Sequence, residues 1–364
     1  MEKYNKTKRR KMINSDDRFK KDFVGLTEKV RKTGRISLKG ADWDYLPTLR
    51  CNLNCSLCYQ KHTKEEKKPS ITDEMSFEEF KLVFDKLDIE GKIVKFIGGE
   101  PFVKKELFDM MEYFKQRGAY NIIGTNGLAL NDEKIGKLEA MNFIEITSSI
   151  DGCLETHNKI RGNPYIFQRA SYFIQEMAKT HKTLVETVIQ KDNLNELGKL
   201  IHLKEIWNVY KWRFQLPMFA TQSKLNETRD LLKDPEIEFE LAFMNNWNYS
   251  FSFEKLMQAY TNLEKQGIEF AMHPLFFQQD PRHCYEKNIR DYHQVYCTYL
   301  FRIRIEPDGM IRLCPFIVKF FGDLKKQSLE EIWNSEKYRQ FRQKLLAGNL
   351  TPICENCAHM RIYK

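Results

Sequence analysis

"LRCNLNCSLCYQ", residues 49–60, sets three cysteines within eight positions: Cys51, Cys55 and Cys58. Three thiols are the wrong number for a closed structural zinc site, which takes four ligands, and for disulfides, which take pairs. They suit three irons of a 4Fe-4S cube whose fourth iron keeps an open position, much as a catalytic zinc does for substrate. On spacing alone a zinc site completed by a distant His or Cys stays open, although zinc sites favour Cys-x2-Cys pairs.

What cysteines do depends on compartment. The chain has 364 residues, 42% hydrophobic and 13% aromatic, enough for one large core and a smaller one. No stretch approaches the roughly 20 apolar residues of a membrane helix. The basic start, Lys3, Lys6, Lys8, Arg9, Arg10 and Lys11, runs into polar residues where a signal peptide would be apolar. A cytoplasmic protein with no membrane contact is expected, its nine cysteines reduced and free to act as ligands or catalytic thiols. The net charge of +9 is otherwise spread along the chain, and the start reads as a solvated basic tail. No zinc-finger, RNP or helix-turn-helix pattern accompanies it, so nucleic acid is not expected as a partner.

Downstream of the claw, strand-like runs at 44–49, 93–97, 121–124, 143–149, 184–189 and 212–216 alternate with helical stretches, the pattern of an α/β fold with a mainly parallel sheet. Ser76 and Glu79 form a capping box ahead of Phe80, Val83, Phe84 and Leu87, and Leu107, Met110, Met111 and Phe114 repeat that helical spacing; both stripes read as core. Residues 221–248 are more polar, a helical or loop excursion before a helix near 253–266 and a strand near 268–272. After about residue 280 come five of the nine cysteines, a turn at Pro307-Asp308-Gly309 and a second capping box from Ser328. The claw follows the first strand and Gly98-Gly99-Glu100-Pro101 follows the second. Loops at the carboxyl ends of parallel strands converge on one face, so claw and glycine turn should share a mouth.

Cys51-x3-Cys55-x2-Cys58 resembles the signature of the radical S-adenosylmethionine (radical SAM) enzymes. The resemblance implies a partial (β/α)6 TIM-like barrel in which Gly98, Gly99 and Glu100 bind the amino group of the cofactor's methionine part, a carboxylate beside open glycine amides. "TNG", residues 125–127, follows the third strand as it often does in that family and places Asn126 among the cofactor contacts. "SSIDGCLETHNKIRG", residues 148–162, resembles the family's segment after the fourth strand, implying that Ser149 and Arg161 hold the cofactor's carboxylate. "TVIQKDNLNEL" from Thr187 resembles the fifth strand, with backbone at Val188 and Ile189 near the adenine. The family's aromatic residue before the third cysteine is here Leu57, with Tyr59 just after it. The implied chemistry is reductive cleavage of the sulfonium to a 5'-deoxyadenosyl radical, which takes hydrogen from a C–H bond while the protein positions the target carbon.

Cys297, Cys314, Cys354 and Cys357 form a second set. Eleven residues separate Cys297 from Gly309 and four separate Gly309 from Cys314, and a Cys-x2-Cys follows, which resembles the SPASM/twitch region of radical SAM enzymes. With four thiols, a single auxiliary 4Fe-4S cube is expected; four cysteines also suit structural zinc. The expected division is a basic N-terminal extension at 1–43, the barrel at 44–280 and a small cysteine-rich twitch/SPASM-like domain at 281–364.

Cys153 and Cys284 belong to neither set. Either one is a candidate hydrogen donor, as in radical SAM epimerases, against the plainer reading of a buried cysteine. About fifty residues precede the claw, which leaves no room for a leader-peptide recognition domain and points to a small polar substrate, anionic or sugar-like, for dehydrogenation or epimerisation. A peptide maturase is the alternative within the class; a zinc-binding basic interaction protein is the alternative outside it. An external electron donor such as flavodoxin or ferredoxin is implied. Arg213 and Gln215 are candidate substrate contacts, with alternation sending one of them to solvent, and His273, His283 and His293 are candidate acid-base groups.

Overall fold

Successive side chains of a strand point to opposite faces, so the identity of every second residue tells what each face of a sheet meets. The computed structural model describes residues 23–38, 41–58, 73–141, 143–218, 220–239, 253–274, 277, 295–347 and 350–362. Ten strands form its main sheet: β1 (Asp42–Tyr45), β2 (Ile93–Phe96), β3 (Tyr120–Thr125), β4 (Phe143–Ser149), β5 (Thr183–Val188), β6 (Lys211–Gln215), β7 (Ala271–His273), β8 (Arg302–Ile305), β9 (Met310–Arg312) and β10 (Phe320–Asp323). Their order is β10-β9-β8-β1-β2-β3-β4-β5-β6-β7. From β8 to β7 every pairing is parallel, and β9 and β10 add on antiparallel. The fold is therefore α/β, a partial TIM-like barrel whose sheet runs on into the C-terminal region.

Helices cover the outer face: α1 (Phe23–Thr33), α2 (Phe77–Phe84), α3 (Leu107–Gln116), α4 (Asp132–Glu139), α5 (Leu154–Arg161), α6 (Ile166–Thr180), α7 (Leu197–Ile206), α8 (Gln222–Leu232), α9 (Phe253–Glu264), α10 (Leu329–Trp333) and α11 (Glu336–Ala347). The Ser76–Glu79 box caps α2 and a matching Ser328–Glu331 box caps α10. The two predicted apolar stripes are buried, and rings from Tyr45, Phe80, Phe84, Phe96 and Phe114 interlock, with Phe80 and Phe84 centroids 4.6 Å apart. In the polar excursion, α8 is started by the Thr221 side chain accepting from the Lys224 amide; residues 240–252 lie outside the described residues. Among the described residues no helix is long and apolar enough to cross a membrane.

Two expectations change. The first strand spans 42–45 instead of 44–49, because Thr48 and Arg50 turn away to accept hydrogen bonds from the amides of Gly99 (3.0 Å) and Glu100 (2.9 Å). The basic residues at 3–11 lie outside the described residues, but the segment from Phe23 onward is no solvated tail. Helix α1 packs on α11, and the Ile36 carbonyl accepts from Trp333 Nε1 at 3.1 Å.

Candidate active site

The inner face of the sheet is polar. Asp44 on β1, Lys95 on β2, Glu145, Thr147 and Ser149 on β4, Glu186 on β5, Arg213 and Gln215 on β6 and His273 on β7 all line one cavity of about 430 Å³. A lumen walled by these side chains is ligand space, whereas a fully packed barrel interior would carry Val, Ile and Leu layers. Arg213 and Gln215 are two apart on one strand and both face the lumen, so neither is a solvent-facing residue by alternation. A larger hollow of about 600 Å³ opens on the outside between α7 and α9, walled partly by Lys191, Lys199, Lys255 and His202, and none of the described cysteines lines it.

At the mouth of the lumen the structure brings together Cys51, Cys55, Cys58, Gly98, Gly99, Glu100, Asn126, Ser149 and Arg161. The claw is set by its own anchor: Arg50 forks onto Glu74 with two 3.0 Å hydrogen bonds, and the Thr48 hydroxyl also donates to that buried carboxylate. Nothing in the local sequence marks Glu74, whose partner lies twenty-four residues away. Cys55 is buried, which pushes its thiol pKa up against the opposing charge of Arg161, whose guanidinium lies 4.0 Å from the sulfur. Asn126 Nδ2 lies 3.9 Å from Cys51 Sγ. N–H donors thus face two of the three sulfurs.

The Gly99 amide is not open as expected; it and the Glu100 amide are spent on the carbonyls of Thr48 and Arg50. Glu100 is buried, and its carboxylate accepts from Thr125 Oγ1 (2.7 Å), the Asn126 amide (2.8 Å) and the Phe102 amide (3.2 Å). Burial raises its pKa, and those three donors pull against the rise. The acid therefore locks the ends of β2 and β3 together beside the claw.

Arg161 reaches the mouth from the end of α5, which stops at Gly162 in the left-handed conformation (φ 69°). Asp151, fully buried, holds it: Oδ2 accepts from Arg161 Nε at 2.6 Å and from Nη2, and Oδ1 accepts from the Val188 amide at 2.8 Å. Asp151 lies inside the quoted 148–162 segment, but only the folded chain identifies it as the hub. Val188 and Ile189 do not line the lumen; their amides bond to Asp151 and to the Gln215 carbonyl. Cys153 does not line it either. It is the N-cap of α5, its amide donating to Glu196 at 2.7 Å, and burial and that carboxylate push its thiol pKa up. Cys284, His283 and His293 lie outside the described residues.

The second cysteine set sits behind the lumen wall. Thr298 and His359, neighbours of Cys297 and Cys357, both line the lumen. Backbone amides aim at the sulfurs, Phe316 and Ile317 at Cys314 (3.3 and 3.4 Å) and His359 at Cys357 (3.4 Å). Burial, then the neighbouring sulfurs, raises the Cys297 and Cys357 pKa values far above a free thiol's. Four such thiolates are stable only around a cationic core, and N–H···S donors are how proteins tune cluster sulfurs, so the donor set fits a cube. Among the described residues no three His, Cys, Asp or Glu side chains close on a single metal ion.

Comparison with known proteins points the same way. A radical SAM superfamily model matches residues 45–203, and a SPASM model, an iron-sulfur cluster-binding domain, matches residues 297–358. The AdoMet-dependent heme synthase of Methanosarcina barkeri is 25% identical over 85% of this chain and 86% of its own length. The mycofactocin maturase of Mycolicibacterium smegmatis is 22% identical over 86% of this chain and 74% of its own. Among solved structures, SuiB of Streptococcus suis bound to its precursor peptide SuiA shares the fold with a TM-score of 0.63 at 13% identity, covering 90% of this chain and 73% of that one. These matches remove the reading as a zinc-binding interaction protein. The chain belongs to the radical SAM superfamily and carries a C-terminal SPASM domain, and it accordingly works with a 4Fe-4S cluster, auxiliary cluster chemistry and S-adenosylmethionine.

Proposed function

We propose that this enzyme reductively cleaves S-adenosylmethionine and takes a hydrogen atom from a polar small molecule held in the lumen, giving dehydrogenation or epimerisation. The observation that carries this reading is the shared lumen: the three claw thiols, the locked Glu100–Asn126 corner and the Asp151-held Arg161 open onto one polar cavity. Cys51, Cys55 and Cys58 hold the catalytic cube. Glu100 and Asn126 set the corner for the methionine amino group, and Arg161 with Ser149 receives its carboxylate, a planar fork suited to that shape. Cys297, Cys314, Cys354 and Cys357 hold one auxiliary cube. When bound, the catalytic cube supplies the cleaving electron and the auxiliary cube a one-electron acceptor. The auxiliary cysteines' neighbours Thr298 and His359 on the lumen wall favour dehydrogenation, and among the described residues Cys153, the candidate hydrogen donor for epimerisation, lies off the lumen. The electron for cleavage comes from an external flavodoxin or ferredoxin.

Anaerobic reconstitution tests the reading. Two cubes give about eight irons per chain, and a Cys51/Cys55/Cys58→Ala variant keeps about four and releases no 5'-deoxyadenosine. Zinc in place of iron, or S-adenosylmethionine left intact by the reduced protein, rejects it. Peptide maturation is the second reading, favoured by the likeness to the mycofactocin maturase. Extracts of cells grown in deuterium oxide separate the two, because deuterium enters 5'-deoxyadenosine from whichever fraction, small-molecule or peptide, contains the substrate.

A further inference from the structure

At the mouth end of the lumen two polar side chains stand next to each other without a partner. Gln215 is the last residue of β6 and His273 the last of β7, and the two are direct partners in the parallel register. Both line the lumen, so their side chains share its face at one strand spacing, about 4.8 Å between backbones. His273 is only 8% exposed. Among the described residues neither its ring nitrogens nor the Gln215 side-chain amide makes a hydrogen bond, and none of these atoms is sealed in the packing.

The charged groups of the lumen answer one another. Asp151 holds Arg161, Glu186 holds Arg213, and Asp44 faces Arg302. Lys95 shares one row of the sheet with Asp44 and Glu145, and that row is the floor. Glu145 lies four residues below Ser149 on β4, a drop of about 13 Å. Ser149, Glu186 and Arg213 form a row of their own, and Gln215 and His273 stand two residues beyond it toward the mouth.

Burial, then Arg213 and Arg361, holds His273 in its neutral form. A neutral imidazole has one N–H and one bare nitrogen, and a primary amide has an NH2 and a C=O, so each side chain offers both a donor and an acceptor. A carboxylate only accepts and an ammonium only donates, and either would leave half of the pair unanswered. A hydroxyl does both from one oxygen, which two side chains one strand apart can reach together.

We propose that Gln215 and His273 clamp a hydroxyl of the substrate, one donating to its oxygen and the other accepting its O–H. The proposal rests on the function given above and narrows its polar substrate to an alcohol. The clamp is separate from the Arg161 corner where the cofactor's own carboxylate is received.

The test uses the full chain, reconstituted, loaded with S-adenosylmethionine and left unreduced so that nothing turns over. Cyclohexanol, cyclohexyl methyl ether and cyclohexanecarboxylate are probes that share a ring and differ in the group it bears. Ligand-observed NMR should show wild-type protein favouring cyclohexanol over the ether and over the carboxylate by about fivefold, the worth of one hydrogen bond. His273→Phe and Gln215→Leu keep bulk but drop donor and acceptor, and each should abolish the preference. Glu145→Gln, on the floor, should leave it intact. Equal binding of cyclohexanol and its ether by wild type, tighter binding of the carboxylate, or a preference that survives in His273→Phe or in Gln215→Leu overturns the clamp. So does a preference lost in Glu145→Gln, which would put the hydroxyl on the floor. A protein that cleaves S-adenosylmethionine once reduced yet does not prefer cyclohexanol fails here alone. One that prefers cyclohexanol but leaves S-adenosylmethionine intact fails only in the function proposed above.

Discussion

His157 lies beneath Asp151 with its ring out of water, Nδ1 accepting from the Asp151 amide at 2.9 Å and Nε2 buried with no partner. Burial, then the nearby charge of Arg161, pushes its pKa down to about 3. In the unfolded chain the imidazole titrates near its ordinary value, roughly 6.5. Between those two values the unfolded state binds a proton that the folded state refuses. The stability this histidine lends is therefore complete above about pH 6.5 and drains away as pH falls toward 3, at no more than about 1.4 kcal/mol per pH unit. His273 and His359, also kept neutral first by burial, act with the same sign. Urea unfolding between pH 7.5 and 4.5 should thus give a shallower slope for His157→Asn, which keeps an acceptor for the Asp151 amide, than for wild type; parallel slopes would remove the explanation. At this scale the sequence yields what is written as motif. Cys51, Cys55, Cys58, Glu100, Asn126 and Arg161 are marked in the sequence by the spacing of their motifs, and the structure brings all six to one mouth. Asp151 and Glu74 are not so marked, because a carboxylate's role depends on which cation the fold brings to it.

The turn after β2 shows why two glycines stand together. A Cβ on Gly98 would lie 2.3 Å from the Thr48 carbonyl oxygen, and one on Gly99 2.1 Å from that of Arg50, and Gly98 also holds φ at +137°. Both obstacles are backbone, so the claw loop itself would have to retreat. Gly98→Ala or Gly99→Ala should cost more than about 2 kcal/mol and loosen the claw. The reconstituted variant should lose iron from the claw while keeping the auxiliary complement. Gly136, on the exposed face of α4 with nothing within 4 Å of its would-be Cβ, makes the contrast: Gly136→Ala should gain about 0.5–1 kcal/mol. Thermal melts of the three variants side by side check both signs. Elements as a class are readable where a period or a cap marks them: both in α2, the apolar spacing in α3, the capping box in α10, and strand-like alternation with helices in the six strands of the barrel. Which face each strand turns inward was harder. Alternation separates two faces without naming the wet one, and here the polar face of β6 turns to the lumen while Trp212 and Phe214 pack outward.

Across the whole molecule the strand pairing that matters most joins distant parts of the chain. β8 lies along β1, so the C-terminal region continues the barrel's own sheet, a long-range pairing that local pattern does not encode. The N-terminal segment is tied into that region by Arg342, which is wholly buried between the rings of Trp333 and Tyr338, at 4.2 and 3.8 Å, and donates to the carbonyls of Gly34 and Trp333 at 3.1 and 2.7 Å. Burial pulls its pKa down to about 10, with Tyr338 acting the other way, so the guanidinium keeps its charge at neutral pH and its hold on Gly34 with it. Arg342→Met fills much of the space but loses the cation–π contacts and both hydrogen bonds, a local cost of about 2 kcal/mol. If the clasp is local, that cost falls on α1 and the segment after it: their amides should lose roughly thirtyfold in hydrogen-exchange protection while β3 to β5 stay unchanged. If exchange instead rises evenly through the sheet, Arg342 supports the whole fold and the N-terminal segment is no separately opening unit.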